Sequence, residues 1–113
     1  MERIEVGRSD DLPERGCVRF RIRRGGQAVE AFAVRFEGAI YAYVNRCTHR
    51  QVELDLGRGA FFHPDGMRLL CRAHGALFDV RTGSCEGGMC ARGTALETVP
   101  VEESDGRIWA WTD

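Results

Sequence analysis

The sequence predicts an all-β fold, a small sandwich or barrel, and three observations carry this prediction. Apolar and charged residues alternate with a period of two near the N-terminus, as they do in half-buried strands. The 113-residue chain contains 14 glycines, many of them in turn-like stretches between apolar runs. No segment shows a sustained helical period, so little helix is expected.

Three strands are predicted in the first part of the chain. Residues 17–23 place Val, Phe and Ile on one face and three arginines on the other, which is typical of an antiparallel strand with one buried face. A turn at residues 25–26 leads to a second apolar run at 29–36. A tight turn at 37–38 leads to a third run at 39–44, so the three strands form a meander of hairpins.

A second pair of strands is predicted near the C-terminus. The apolar runs at residues 97–101 and 107–111 are joined by Ser-Asp-Gly at 104–106, a strong turn signal. Trp109 and Trp111 share a face of the last strand, and one of them is expected to pack on the core. The intervening segment differs in composition because it is rich in Gly, Cys and His.

Length and charge limit the classes of function. With 113 residues the chain is predicted to be one domain, residues 1–113. Its 16 basic and 17 acidic residues are dispersed, which argues against nucleic acid or an anionic membrane as a partner. Without a signal peptide or a long apolar stretch, we expect a soluble, cytoplasmic protein. An odd number of cysteines, five, argues against a disulfide scaffold and favours thiols that are buried or bind a metal.

Two short motifs in the middle segment carry candidate metal ligands. The first contains Cys47 and His49, and the second contains Cys71 and His74. Either motif alone is weak, because a cysteine is commonly a small buried residue and a histidine a polar residue at a strand end. Together they offer two thiolates and two imidazoles on loops that follow strand-like runs, which favours one site for a soft or borderline metal. Zinc is one candidate, although its sites usually group the cysteines in one motif and the histidines in another.

The mixed order Cys, His, Cys, His resembles the Rieske family of 2Fe-2S proteins. The resemblance rests on "CTHR", on "CRAHGALFDVRTGSC" and more loosely on "ALETVPV". It implies an antiparallel β-sandwich with a small inserted cluster-binding subdomain at about residues 45–95, holding one 2Fe-2S cluster. Cys47 and Cys71 would bind the iron that stays ferric, and His49 and His74 the iron that accepts the electron.

The resemblance also implies a function. A small Rieske-type ferredoxin passes single electrons from a reductase to a terminal oxygenase or a comparable redox enzyme, and these redox proteins are the expected partners. The histidine ligands would mark the docking point, with Arg50, Leu54 or Ala76 at the contact. One alternative is the small Rieske subunit of a nitrite-reductase-like complex. An alternative of another class is a zinc-bound or metal-free β module that acts only in protein interaction.

Catalysis by the chain itself is not expected. The large oxygenases of the family hold a catalytic iron with two histidines and a carboxylate. This chain has three histidines, and only His63 remains once His49 and His74 are assigned to the cluster. His63 follows a Phe-Phe pair in a predicted hairpin whose turn is Pro-Asp-Gly at 64–66, and we interpret it as an exposed loop histidine.

Two positions after the second motif bear on the redox potential. Rieske proteins of respiratory complexes resemble one another in carrying serine and tyrosine hydroxyls where this chain has Ala76 and Phe78. Donors to the cluster sulfurs favour the reduced, more negative state, so their absence lowers the potential. We therefore expect a midpoint near the negative end of the Rieske range, about −150 mV.

The remaining cysteines depart from the family pattern. Cys85 and Cys90 flank Gly87 and Gly88 where the family usually has a proline-bearing loop over the cluster. We favour burial or an optional disulfide over a second metal site, because no further histidine or carboxylate is patterned with them. Cys17 lies in a strand and is interpreted as structural.

Overall fold

The computed structural model describes residues 2–48 and 52–113, and strands dominate this part of the chain. A short 3-10 helix at Ser9–Asp11 is the one helical element among the described residues. The strands are β1 Glu2–Arg8, β2 Cys17–Arg24, β3 Gln27–Phe36, β4 Ala39–Val44, β5 Arg68–Leu70, β6 Leu77–Asp79, β7 Cys85–Gly87, β8 Val101–Ser104 and β9 Arg107–Thr112. Over the described ranges, no helix has the length and apolar character needed to cross a bilayer. The predicted all-β class is confirmed.

The described residues divide into two compact units. The strands through β4 and the segment Thr98–Asp113 form the first, which we call the sandwich unit. The segment Asn45–Glu97 forms the second, which we call the inserted unit because it interrupts the first along the chain.

The sandwich unit consists of two antiparallel three-stranded sheets, one ordered β1-β9-β8 and the other β2-β3-β4. Side chains from both sheets meet in one apolar core. On β2, Ile22 is buried whereas Arg21 and Arg23 are exposed, as the alternation in the sequence predicts. The buried members of the core are Ile22, Ala31, Ala33, Ala42, Val44, Val99 and Ala110.

Three hairpins of this unit turn through two residues. At residues 25–26, 37–38 and 105–106 both central residues have positive φ, for example 54° at Asp105 and 72° at Gly106. This is the conformation of type I′ turns, whose twist matches that of the flanking strands. Asp-Gly is a preferred sequence for it, which explains why the turns could be predicted locally.

The predicted strand at residues 97–101 is wrong in position. Thr98 pairs with Tyr43 through an isolated bridge, and Val99 donates its N–H to the carbonyl of Ala42. The regular strand starts only at Val101, after Pro100, and pairs with β9. The segment therefore first contacts β4 of one sheet and then enters the other sheet, and Pro100 has no N–H to continue a ladder.

The expectation for the tryptophans is also wrong. On β9, Ile108 and Ala110 are 0% exposed and face the core, whereas Trp109 and Trp111 lie half-buried on the opposite face. The guanidinium of Arg3 lies 4.3 Å from the ring centroid of Trp109, a cation–π contact at the surface of the sheet. The predicted alternation is correct, but the alanine-rich core packs against the face of β9 that carries the smaller side chains.

Arg35 is a polar connection between the sheets of the sandwich unit. Its guanidinium donates to the carbonyl of Leu12 at 2.6 Å and to the carboxylate of Glu103 at 2.7 Å. The Arg35 side chain is only 15% exposed. Hydrogen bonds to a charged group in a shielded position contribute more than exposed ones.

Replacing Arg35 with alanine is expected to lower the free energy of unfolding by about 2 kcal/mol, because the carbonyl of the buried Leu12 and the carboxylate of Glu103 both lose a charged donor. Chemical denaturation measures this loss. The matched control is Arg21→Ala, which breaks a pair with Glu30 in which the arginine is 68% exposed. That change should cost under about 0.5 kcal/mol, and equal losses in the two variants would contradict the assignment.

The same pair predicts a pH dependence. The hydrogen bond from Arg35, followed by one from Ser9, lowers the pKa of Glu103 below its usual 4.5. A group with a depressed folded-state pKa contributes stability that is present above its unfolded pKa and is lost as pH falls through the folded value. The stability difference between the native chain and Arg35→Ala should therefore shrink as the pH is lowered from 4.5.

Candidate metal centre

The inserted unit contains a sheet of three short strands in the order β5-β6-β7. The hairpin predicted before the second motif is present, since Phe62 bridges Leu69 and His63 donates its N–H to the carbonyl of Arg68. At its tip, the His63 ring Nδ1 accepts from the N–H of Asp65 at 3.1 Å. His63 is therefore engaged in the turn.

The carboxylate of Asp65 holds this tip together. It accepts from the N–H of Met67 at 2.8 Å and from the guanidinium of Arg68 at 2.8 Å. The Met67 hydrogen bond, then that of Arg68 and then His63 lower the pKa of Asp65 to about 2. The polar residues of the hairpin thus satisfy one another.

The second predicted motif forms a tight loop between β5 and β6. The N–H of Cys71 donates to the carbonyl of Ala76 at 2.9 Å, and the carbonyl of Cys71 accepts from the N–H of Gly75 at 2.8 Å. Cys71 is 0% exposed, while His74 is half-buried. The same short loop therefore carries one buried thiol and one partly accessible imidazole.

The first predicted motif follows β4. Cys47 is 2% exposed, and its N–H donates to the carbonyl of Val52 at 2.9 Å. The predicted ligand His49 and the predicted contact residue Arg50 lie outside the described residues. The assignment of His49 accordingly stays a prediction.

Three of the four predicted ligands converge. One ligand atom each from Cys47, Cys71 and His74 lies within 4.8 Å of the others, and Cys71 Sγ is 3.8 Å from His74 Nδ1. Burial, and next the neighbouring Cys47 thiol, raise the pKa of Cys71. Two adjacent buried thiols are costly to ionise without a cation, and a bound metal ion removes that cost. The soft sulfur and imidazole donors therefore fit an iron–sulfur or zinc centre.

A buried polar network that the sequence analysis did not identify connects the two motif loops. The side-chain oxygen of Asn45, two residues before Cys47, accepts from the N–H of Leu54 at 2.9 Å. The carbonyl of Leu54 accepts from the N–H of Arg72, which lies between Cys71 and His74 in the chain. The backbone N–H and carbonyl groups of Leu54 thereby link residues 45 and 72.

The carboxylate of Asp55 completes this network. Asp55 is 0% exposed and accepts from Asn45 Nδ2 and from the N–H groups of Gly57 and Gly59. A buried carboxylate needs such donors to offset its desolvation. The sequence signal for this role was the Asp-x-Gly-x-Gly pattern at 55–59, which is typical of a side chain that bonds the backbone just after it.

Two of the residues predicted at the docking contact cannot serve there. Leu54 and Ala76 are each 0% exposed, because they pack inside the inserted unit. The large apolar side chains that are exposed in this unit are Leu56, Met67 and Met89.

Cys85 and Cys90 form a disulfide, with their Cα atoms 6.0 Å apart. This was one of the two alternatives favoured from the sequence, and a disulfide-bonded sulfur offers no thiolate to a second metal. Cys17 on β2 is not in a disulfide, and neither are Cys47 and Cys71.

Comparisons with known proteins agree with this site. The family model described as "Rieske [2Fe-2S] domain" matches residues 2–100. The ferredoxin component of the naphthalene 1,2-dioxygenase/salicylate 5-hydroxylase systems of Ralstonia sp is 30% identical over 106 residues, which covers 93% of this chain and 90% of the relative. Oxidoreductase NdmD of Pseudomonas putida is 30% identical over 110 residues, but this chain spans only 17% of its length.

A solved structure matches the whole chain. The ferredoxin of carbazole 1,9a-dioxygenase from Nocardioides aromaticivorans IC177 aligns with a TM-score of 0.77 and 26% identity, covering 100% of both chains. The predicted resemblance is thereby confirmed, and the chain belongs to the Rieske [2Fe-2S] domain family, whose members hold one 2Fe-2S cluster.

Proposed function

We propose that this protein is an electron carrier that accepts single electrons from a reductase and passes them to a terminal oxygenase or a similar redox enzyme. The observation that carries the proposal is the convergence of Cys47, Cys71 and His74 in a Rieske-family chain. Two relatives that match almost end to end are ferredoxins of dioxygenase systems, which supports an oxygenase as the partner.

Four side chains are assigned to the cluster. We infer that Cys47 and Cys71 hold one iron and that His49 and His74 hold the other. Two neutral imidazoles in place of two thiolates reduce the negative charge at the site, so the bound cluster accepts an electron more readily than an all-cysteine one. The partly accessible ring of His74 and the two buried thiols fit this division, because the histidine side then faces a partner.

The domain organisation belongs to the same proposal. We treat residues 1–113 as one Rieske-type domain, in which about residues 45–95 form the cluster-binding subdomain. The compactness of Asn45–Glu97 supports this division. We assign no catalytic residue, and we infer a cytoplasmic location, where reductases and oxygenases of this kind obtain their nicotinamide electrons.

The test is reconstitution with iron and sulfide, followed by a one-electron titration. We expect about two iron and two sulfide per chain, visible absorption and a Rieske-type EPR signal on reduction. With an NADH-dependent flavin reductase as the donor and cytochrome c as the acceptor, the rate of cytochrome reduction should rise in proportion to the chain concentration.

The matched control is the same chain loaded with zinc, which keeps the donor set but cannot change oxidation state. A chain that takes up only zinc and stays colourless would overturn the proposal in favour of an interaction module. A loaded cluster that does not exchange electrons with either protein would contradict the carrier role.

A further inference from the structure

One segment of the inserted unit, Cys85–Thr94, contacts both motif loops, and we call it the cover segment. Near its start, Gly88 lies against Gly75, the residue that follows His74. At its end, the Thr94 hydroxyl lies 3.3 Å from the hydroxyl of Thr48, which stands between Cys47 and His49 in the chain. The cover segment therefore restrains both loops from which the proposed ligands project.

The contact at Gly88 is backbone against backbone. A Cβ built on Gly88 would overlap the carbonyl oxygen of Gly75 and would lie 3.0 Å from its carbonyl carbon and 3.1 Å from the Cα of Ala76. Gly88 also has a φ of +71°, which side chains other than that of glycine rarely permit. Only glycine allows the cover segment to approach the second loop this closely.

The β6-β7 ladder holds the beginning of the cover segment, and the N–H of Cys85 holds its end by donating to the carbonyl of Thr94 at 2.9 Å. Strand β7 pairs with β6 at Phe78↔Cys85 and Leu77↔Gly87, and it ends at Gly87. Gly88 and Met89 lie beyond the ladder, and Met89 is 56% exposed. The disulfide from Cys90 back to Cys85 closes this short loop and ties it to the strand.

This disulfide is accessible. Cys85 and Cys90 are half-buried, and the residues between and after them are mostly exposed, whereas Cys47 and Cys71 are buried. Accessible disulfides are the ones that respond to cellular thiols, and those sealed in a core are resistant. A reductant can therefore reach this bond without entering the metal centre.

We propose that the Cys85–Cys90 disulfide is a thiol-responsive lock on the loop that carries Cys71 and His74. In the locked state Gly88 is held against Gly75 and shields the loop. A dithiol reductant of the thioredoxin class transfers two electrons and two protons, so the S–S bond breaks, two S–H groups form and the dithiol becomes a disulfide. The turn at residues 88–90 then moves away from Gly75, and the cluster is lost more readily. The inference rests on the proposed ligand set.

The test compares the double variant Cys85→Ser, Cys90→Ser with the native chain, and Cys17→Ser is the matched control because Cys17 lies in the sandwich unit and forms no disulfide. The first readout is the decay of cluster absorbance in the presence of an iron chelator. We expect roughly tenfold faster decay in the double variant, the order of magnitude by which a disulfide restrains a short loop. Native chain treated with dithiothreitol should behave like the double variant, and Cys17→Ser like the native chain.

The second readout is amide hydrogen exchange at Gly75 and Leu77, which needs no cluster. Faster exchange is expected at both amides in the double variant and after dithiol treatment. Gly88→Ala keeps the disulfide but removes the close contact, so it should also accelerate amide exchange and cluster loss. This variant tests the lock even if the double serine variant folds poorly.

Unchanged exchange and unchanged cluster decay after reduction of the disulfide would overturn the lock, as would alkylation of five thiols in the untreated protein. A chain that never binds a cluster but shows the faster exchange would instead contradict the ligand set and leave the lock supported.

Discussion

Replacing Cys71 with alanine is expected to give a protein that holds no cluster. Cys71 is fully buried beside Cys47, and its thiolate is one of two sulfur donors in the proposed ligand set. Loss of Cys71 leaves the iron that both cysteines bind with one thiolate instead of two, and alanine supplies no donor atom in its place. Iron and sulfide analysis and the visible spectrum after reconstitution measure the result.

The matched control is Cys17→Ala, which removes a thiol from the sandwich unit and should retain the full cluster content. Equal cluster content in the two variants would show that Cys71 is not a ligand. Misfolding of the Cys71 variant can be recognised independently, because its far-ultraviolet spectrum would then differ from that of the metal-free native chain.

A second substitution separates the two kinds of ligand. His74→Cys offers a thiolate where the proposed set has an imidazole, so the cluster should be retained while its added negative charge lowers the midpoint potential by on the order of 100 mV. An unchanged potential would mean that His74 does not bind the iron that accepts the electron.

Local patterns explain why most strands could be predicted. In β2 the alternation of apolar residues with arginines specifies both the strand and its buried face, and the three two-residue turns have sequences that favour their conformation. The ligand pairs could likewise be found because each motif is short and the two motifs repeat the same chemistry. None of these features depends on distant contacts.

The incorrect predictions concern features that depend on which strand, distant in the sequence, packs against the element. Strand β1 was not predicted, although Ile4 and Val6 alternate in it, since its evidence is its pairing with β9. The side of β9 that faces the core is decided by the space left between two sheets rich in alanine, and that space favours Ala110 over the tryptophans. Strand pairing and the side that faces the core are decided by packing against other elements, which the sequence of a single strand does not reveal.

In the candidate site, too, local patterns could be predicted from the sequence and long-range contacts could not. The sequence identifies donor atoms, but it does not show that Asn45 and Asp55 connect the loops or that Gly88 lies on Gly75. It also placed Leu54 at a docking contact, because an apolar residue near a motif reads equally well as buried or exposed. Burial of Leu54 follows from hydrogen bonds of its own backbone to Asn45 and Arg72, which the sequence alone cannot indicate.

The double variant Ala76→Ser, Phe78→Tyr is expected to raise the midpoint potential of the cluster by on the order of 100 mV from a native value of about −150 mV. Both positions are fully buried, and the carbonyl of Ala76 accepts the hydrogen bond from the N–H of Cys71, so residue 76 lies next to a proposed ligand. Hydroxyl donors introduced there stabilise the reduced, more negative state. A redox titration followed by EPR measures the shift.

Phe78→Leu is the packing control, because it disturbs the same buried position without adding a donor. If the potential reflects hydroxyl donation, the control should leave it unchanged while the double variant raises it. If both variants shift it equally, altered packing around the loop is the cause. A native midpoint above zero would contradict the premise, because the cluster would then reach a high potential with apolar side chains at positions 76 and 78, and donors other than these hydroxyls would have to supply the stabilisation of the reduced state.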